Sequence, residues 1–254
     1  MTAEESSMES VGPWAEALGQ LREWDPDWTA ACVRMSTNPW TSGVLDIKFI
    51  ELISVGLNAC CTSLDAEATR RHIRAALTAG ATREQIVFVL KCATVVSLHS
   101  CSVAAPILLE EAHAARLEPA SPRDMPTPAV DAMRAAGQWN DAWQPFLELD
   151  PGWTDEAMAI GIGIYGSAVF TPKEIELLSI ALDASYTHMY VPGIRRHIRA
   201  ALQAGVTVTE IMEVLKICVA HGVQSCNLGV PILAEELRSA EVDSPRSCRG
   251  SGEA

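Results

Sequence analysis

Basic residues are scarce in this chain, 19 against 32 acidic ones, and aromatics make up only 6% of its 254 positions. The formal net charge of −13 excludes nonspecific attraction to nucleic acid or to an anionic membrane surface. No uninterrupted apolar run reaches the ~18 residues of a membrane span. Residues 1–10 are acidic and polar, unlike a secretory signal. The expectation is a cytoplasmic protein without a membrane partner. Eight cysteines are present but no CxxC, and the adjacent Cys60 and Cys61 suit neither a redox pair nor two ligands of one zinc ion. Cys92, Cys101, Cys218 and Cys226 lie in apolar runs, where a free thiol behaves as a small hydrophobe. There is no glycine-rich phosphate loop and no ligand cluster with zinc spacing, so neither cofactor nor metal is expected. An alternating strand pattern is missing too, which makes the fold class all-α.

What the sequence does contain is a repeat. Arg70-Arg71-His72-Ile73-Arg74-Ala75-Ala76-Leu77 returns unchanged as Arg195-Arg196-His197-Ile198-Arg199-Ala200-Ala201-Leu202. With the same shift, Trp14 falls on Trp139, Glu51 on Glu176, Gly80 on Gly205 and Pro106 on Pro231. Self-similarity over roughly a hundred residues is a tandem duplication rather than a solenoid. A first unit spans 12–117, a proline-rich linker 118–128 and a second unit 129–240. Residues 1–11 and the tail 241–254 read as disordered.

Periodicity and capping place the helices. Residues 14–24 and 25–35 form two short ones, followed by a loop over 36–43. Residues 46–63 are apolar almost all round, as in a core helix. The Arg-Arg-His helix stops at Gly80, and the capping box beginning at Thr82 launches an apolar helix to about Leu98. A last helix runs from Pro106 to about Leu117. In the second unit Thr171-Pro172-Lys173-Glu174 marks a well-specified start.

Glu51 and Glu176 are the odd residues of their apolar helices, where a carboxylate must find a partner or hold a proton. His72 and His197 lie on the apolar face of the following helix, natural neighbours of those carboxylates. Such a pair reads either as an internal lock between helices or as a general acid–base pair. Arg70, Arg71 and Arg74, with Arg195, Arg196 and Arg199, form either an anion-binding cluster or a solvated helix face. The copies diverge where a pocket is expected. Unit one has Cys60, Cys61, Ser63, Asp65, Val96 and His99. Unit two, richer in proton donors, has Ser185, Tyr186, His188, Tyr190, His221 and Gln224. Unit two is therefore the expected working site, with a site shared between the units as the alternative.

The order of an inner-Glu helix, then RRHIRAALTAGATREQI and RRHIRAALQAGVTVTEI, then VLK…HGVQSCNLGVPIL, resembles the carboxymuconolactone decarboxylase family, which also holds the AhpD-type alkylhydroperoxidases. The resemblance covers residues 45–111 and 170–236. It implies two similar helical bundles of that type, with active-site histidines at His72 and His197 and the family glutamate at Glu51 and Glu176. Rings of single-unit family chains imply a homo-oligomer here, a trimer of doubled chains. AhpD-type disulfide chemistry uses a CxxC between Glu and His, and the segments 58–63 and 183–188 have none, which counts against a thiol peroxidase.

The expected function is a cofactor-independent lyase, decarboxylase or isomerase acting on a small carboxylated lactone, β-keto acid or similar enolisable anion. Its acid–base residues would be His197 or His188, with Glu176 fixing the tautomer and Tyr186 and His221 nearby. His72 and Glu51 are the counterpart pair. Arg195 or Arg199, with Tyr190, would bind substrate, as would Arg70 and Arg74 in the first unit. The alternative is a ligand-binding or interaction protein that kept the fold without the chemistry.

Overall fold

The computed structural model describes residues 12–118 and 125–243, and every regular element among them is helical. The first copy supplies α1 (Ala17–Trp24), α2 (Pro26–Ser36), α3 (Asn38–Thr41), α4 (Ile47–Ala59), α5 (Ala66–Thr78), α6 (Arg83–Val95) and α7 (His99–Ala114). The second supplies α8 (Pro128–Ala135), α9 (Gln144–Leu149), α10 (Pro151–Tyr165), α11 (Pro172–Ala184), α12 (Val191–Gln203), α13 (Val208–Ala220) and α14 (Gln224–Asp243). Residues 1–11 and 244–254 of the segments expected to be disordered, and 119–124 in the linker, lie outside the described residues, whereas 241–243, expected in the disordered tail, continue α14.

Local chemistry sets these boundaries. Asp25 and Asp150 cap their helices by accepting from the Trp28 and Trp153 amides, each with a proline in the first turn. Capping boxes at Thr82/Gln85 and Thr171/Glu174 open α6 and α11. Gly80 and Gly205 take positive φ, 87° and 84°, just past α5 and α12. Three expectations change. The 36–43 loop contains α3, which buries Pro39 and Trp40. The helix expected over 46–63 stops at Ala59, because Cys60 is extended and Leu64 turns with φ 53°. Pro106 and Pro231 do not start helices but sit inside α7 and α14.

Short 3₁₀ turns at Val96–Leu98 and His221–Val223 join α6 to α7 and α13 to α14. The resulting stretches Arg83–Ala114 and Val208–Ala240 have mean hydropathies of 1.8 and 1.4 over their most apolar windows. By length and composition alone they reach what a membrane span needs, although polar residues such as Lys91 and Lys216 interrupt both, so neither holds an unbroken apolar run of that length. Large apolar side chains remain exposed on corresponding positions of both copies: Val103, Ile107 and Leu108, and Leu228, Ile232 and Leu233.

The compact units do not coincide with the sequence repeats. One is the contiguous Val44–Cys218, and the other joins the described parts of Met1–Gly43 and Val219–Ala254. In the contiguous unit, residues 49–58 of α4 are all buried. Five of their side chains, Ile50, Leu52, Ile53, Val55 and Leu57, are at most 1% exposed. At ~1.5–3 kcal/mol each, their burial supplies roughly 10 kcal/mol gross, ample to hold one desolvated carboxylate, Glu51, in the same helix. α4 and α11, which are repeat mates, pack on each other, with α5 and α12 against their respective partners. Gly56 permits the approach: a Cβ there would stand 3.2 Å from Val89 and 3.5 Å from Leu182. Thr62 Oγ1 lies 2.9 Å from Thr187 Oγ1, its own repeat mate. A residue that meets its mate is the mark of a pseudo-twofold axis between the copies. In the same unit α7 packs against α9 and the Asp141–Trp143 turn, the leader of the second copy.

The other unit is made from the two ends. α14 packs on α1, and Trp14, Leu18 and Val223 form its core. Trp14 Nε1 donates to Ser36 Oγ at 2.8 Å. Asn227 accepts from the Ala15 amide at 3.0 Å and donates to the Pro13 carbonyl at 2.8 Å. The last helix of each copy is thus docked on the leader of the other.

Candidate functional site

The contiguous unit contains two Glu–His pairs built alike. His72 Nδ1 lies 2.6 Å from Glu51 Oε2, and His197 Nδ1 lies 2.6 Å from Glu176 Oε2. Each pair spans two consecutive packed helices, α4 with α5 and α11 with α12. In the second pair the proton can be placed. Arg196 Nη2 is 2.8 Å from His197 Nε2, and a guanidinium only donates. His197 Nε2 therefore accepts, and Nδ1 carries the hydrogen given to Glu176. Burial pushes the His197 pKa down, and its bond to Glu176 opposes that shift. The imidazole is held neutral, with its Nε2 lone pair turned towards Arg196 and away from Glu176.

Asp183, 2% exposed, stands on the other side of that nitrogen, with Oδ2 3.8 Å from His197 Nε2. Its Oδ2 is buried without a hydrogen-bond partner. Burial pushes its pKa up to about 7, against a lowering by Arg196 and with a further rise from Glu176. Gly193 on α12 makes room for this carboxyl: a Cβ there would fall on Asp183 Oδ2. His99, at the start of α7 and hence from the first copy, lies 3.6 Å from Asp183 Oδ1 and 2.7 Å from His188 Nε2 through its Nδ1. Tyr190 stacks on the His99 ring with centroids 3.7 Å apart. Burial pushes His99 down to about 3, reinforced by His188, His197 and Arg196, while burial also lowers His188 and raises Tyr190.

His99, Asp183, Arg196 and His197 share a cavity whose apolar wall includes Met133, Trp143, Met158, Ile164 and Leu182. The arrangement offers a base, a neutral acid and a guanidinium on one side and hydrocarbon on the other. His99, Asp183 and His188 also bring one ligand atom each to within 4.8 Å of one another, a group able to hold a metal ion. Their sequence positions are too dispersed for any spacing motif to have signalled it.

The sequence-derived candidates are placed unevenly. His197, Glu176, His188 and Tyr190 come together with Asp183. Arg195 and Arg199 are exposed, as are Arg70 and Arg74. The arginine that lines the cavity is Arg196, because Gly193, Arg196 and His197 share the inward stripe of α12 at i, i+3, i+4. Tyr186 is 52% exposed, and His221 is buried in the unit made from the ends and is not among the residues lining the cavity. His72 and Glu51 form their pair, but Asn58, Ser63 and Asp65 stand at the positions of Asp183, His188 and Tyr190. Asp183 had a readable signal: it lies seven residues after Glu176, on the same helix face. His99 was singled out as a divergent position of unit one, opposite Gln224, but nothing in the sequence placed it beside Asp183 of the second copy.

The chain was compared with known proteins at three levels. The model of the carboxymuconolactone decarboxylase family matches residues 26–105 and 154–227, more than half of the chain. No curated protein matches. A solved structure at 1.70 Å resolution, a provisionally named gamma-carboxymuconolactone decarboxylase subunit from Burkholderia xenovorans LB400, is 31% identical with a TM-score of 0.82. That likeness covers 92% of this chain and 98% of the other. The duplicated helices, the paired Glu–His motif and these matches agree: the chain belongs to the carboxymuconolactone decarboxylase family.

Proposed function

We propose that the protein is a lyase that decarboxylates a small enolisable anion, such as a carboxylated lactone or β-keto acid, at the second-copy site. The observation that carries this reading is the buried Asp183 carboxyl 3.8 Å from His197 Nε2, in a cavity it shares with Arg196 and an apolar wall, where burial raises its pKa to about 7. The substrate carboxylate that leaves would lie on that wall, where loss of its charge is favoured. The C–C bond breaks, CO2 departs, and the electron pair passes into an enolate whose oxygen faces Arg196. Asp183 protonates the carbanionic carbon. The proton is restored from solvent, with half-buried His188 on the path. His197, its Nδ1 hydrogen fixed on Glu176, orients Arg196 and accepts a proton where a substrate must first be enolised. The same pair would serve an isomerisation.

The test is incubation of a panel of β-keto acids and carboxylated lactones with the wild-type protein, with release of CO2 followed by mass spectrometry. Asp183→Asn and Arg196→Gln should each lose about 10²-fold or more in kcat/KM while far-ultraviolet circular dichroism is unchanged. Full turnover in both variants would sink the assignment. A product of unchanged mass would identify an isomerase instead.

A further inference from the structure

We propose that His99, Asp183 and His188 form a binding site for one divalent transition-metal ion of the zinc class. The ligand atoms already converge, all within 4.8 Å of one another. His99 Nδ1 is 2.7 Å from His188 Nε2 and 3.6 Å from Asp183 Oδ1. Ligands at ~2.0–2.1 Å from a shared ion lie roughly 3.0–3.4 Å apart. Closing this set on an ion needs the two imidazole nitrogens to part by a few tenths of an ångström and the His188–Asp183 separation, within 4.8 Å, to come to about 3.4 Å. The residue that must move is His188, which is half-buried on the turn between α11 and α12. His99 is fixed by its stack on Tyr190, so one nitrogen is already aimed.

A second observation points to a cation independently of the cluster. Asp183 is 2% exposed, yet its Oδ2 has no hydrogen-bond partner, a costly state for a carboxyl oxygen. An ion would bind through Oδ1, the oxygen on the His99 side, and offset the charge of the buried carboxylate as a whole, although Oδ2 itself faces His197 and Gly193. Two imidazole nitrogens and one carboxylate oxygen suit zinc, iron or cobalt rather than magnesium or calcium. Three protein ligands leave coordination positions for water or a bound anion, as in catalytic rather than structural sites. Arg196 opposes a cation here and Glu176 favours one, so the surrounding charge does not forbid it.

The repeat supplies a control. At the corresponding positions Gln224, Asn58 and Ser63 replace His99, Asp183 and His188. None of these is a comparable ligand, so the stoichiometry is one ion per chain rather than two. A ligating carboxylate is ionised. An ion at this site and a proton on Asp183 therefore exclude each other, so the metal-bound form is not the decarboxylating one and the ion would act as an inhibitor of that step. The inference goes beyond the decarboxylase reading, and metal binding is measured without turnover, so the two can fail separately.

The experiment uses the full chain, freed of metal with a chelator and then titrated with Zn²⁺ by calorimetry and with Co²⁺ by visible absorption. One ion per chain is expected, with Co²⁺ bands of a low-coordinate nitrogen and oxygen site. His188→Ala and Asp183→Asn should each weaken binding more than about tenfold. His113→Ala, which alters an exposed histidine at the end of α7, should leave it unchanged. His188→Ala is the variant least expected to disturb folding, and its melting curve is the check. Absence of saturable binding to the wild type would overturn the proposal. So would binding that survives both His188→Ala and Asp183→Asn.

Discussion

Replacing Asp183 by asparagine should stabilise the protein at neutral and alkaline pH and leave it nearly unchanged at pH 4. The carboxyl is buried and its pKa is raised from the ordinary 3.8 to about 7. Below both values it is protonated, folded or unfolded, and contributes no pH dependence. Between them the unfolded chain releases a proton that the folded chain keeps, so folding stability falls as pH rises. Above about 7 the cost is complete. A difference of roughly 3 pH units at ~1.4 kcal/mol per unit gives a loss on the order of 4 kcal/mol. Asparagine is close in shape, carries no charge and avoids the loss. Urea unfolding of both proteins, with chelator present, should show the stability difference opening from near zero at pH 4 to a few kcal/mol at pH 8. Parallel curves across that range would refute the reasoning. A wild type that gains on the variant as pH rises would mean that Asp183 is ionised and paired with Arg196.

Other perturbations test neighbouring parts of the structure. Gly193→Ala places a Cβ on the Asp183 carboxyl, and thermal melts should register a cost of about 1–3 kcal/mol. An unchanged melting temperature would show that the carboxyl moves freely. His72→Ala leaves Glu51, 2% exposed, without its imidazole, and should lower stability by about 3 kcal/mol while sparing turnover. His197→Ala should reduce turnover by about 10²-fold or more, and loss of activity in the first variant instead would move the working site to the first copy. Light scattering should give about three times the 27.3 kDa chain mass, the exposed Val103, Ile107 and Leu108 being covered by other chains, and a monomer would refute that.

The sequence made the helices legible because their boundaries are decided locally, by Thr82, Thr171, Pro172, Gly80 and Gly205. The Glu–His pairs were legible for the same reason: each joins consecutive helices, so periodicity alone turns both residues inward. Arg196 was misjudged in favour of Arg195 and Arg199 because a cluster of like charges does not say which member follows the apolar stripe. Gly193, three residues earlier, was the available clue. His99 was legible as a divergent position of unit one, but its place in the second-copy site could not be found in this way. It enters the site because α7 leaves its own copy to pack on the second leader, and no local pattern encodes that choice. The apolar content of the joined helices was likewise underread, because 3₁₀ turns carried each helix through a point where the sequence suggested a break.

The bond between Asn227 and the backbone of Pro13 and Ala15 closes the chain upon itself. Among the described residues α1 and α14 clasp each other, and the two copies repeat, so leader, core and closing helix follow one another in a cycle. A gene rotated by one repeat, starting at the second leader and ending with the first copy's last helix, would spell the same cyclic order of leader, core and closing helix.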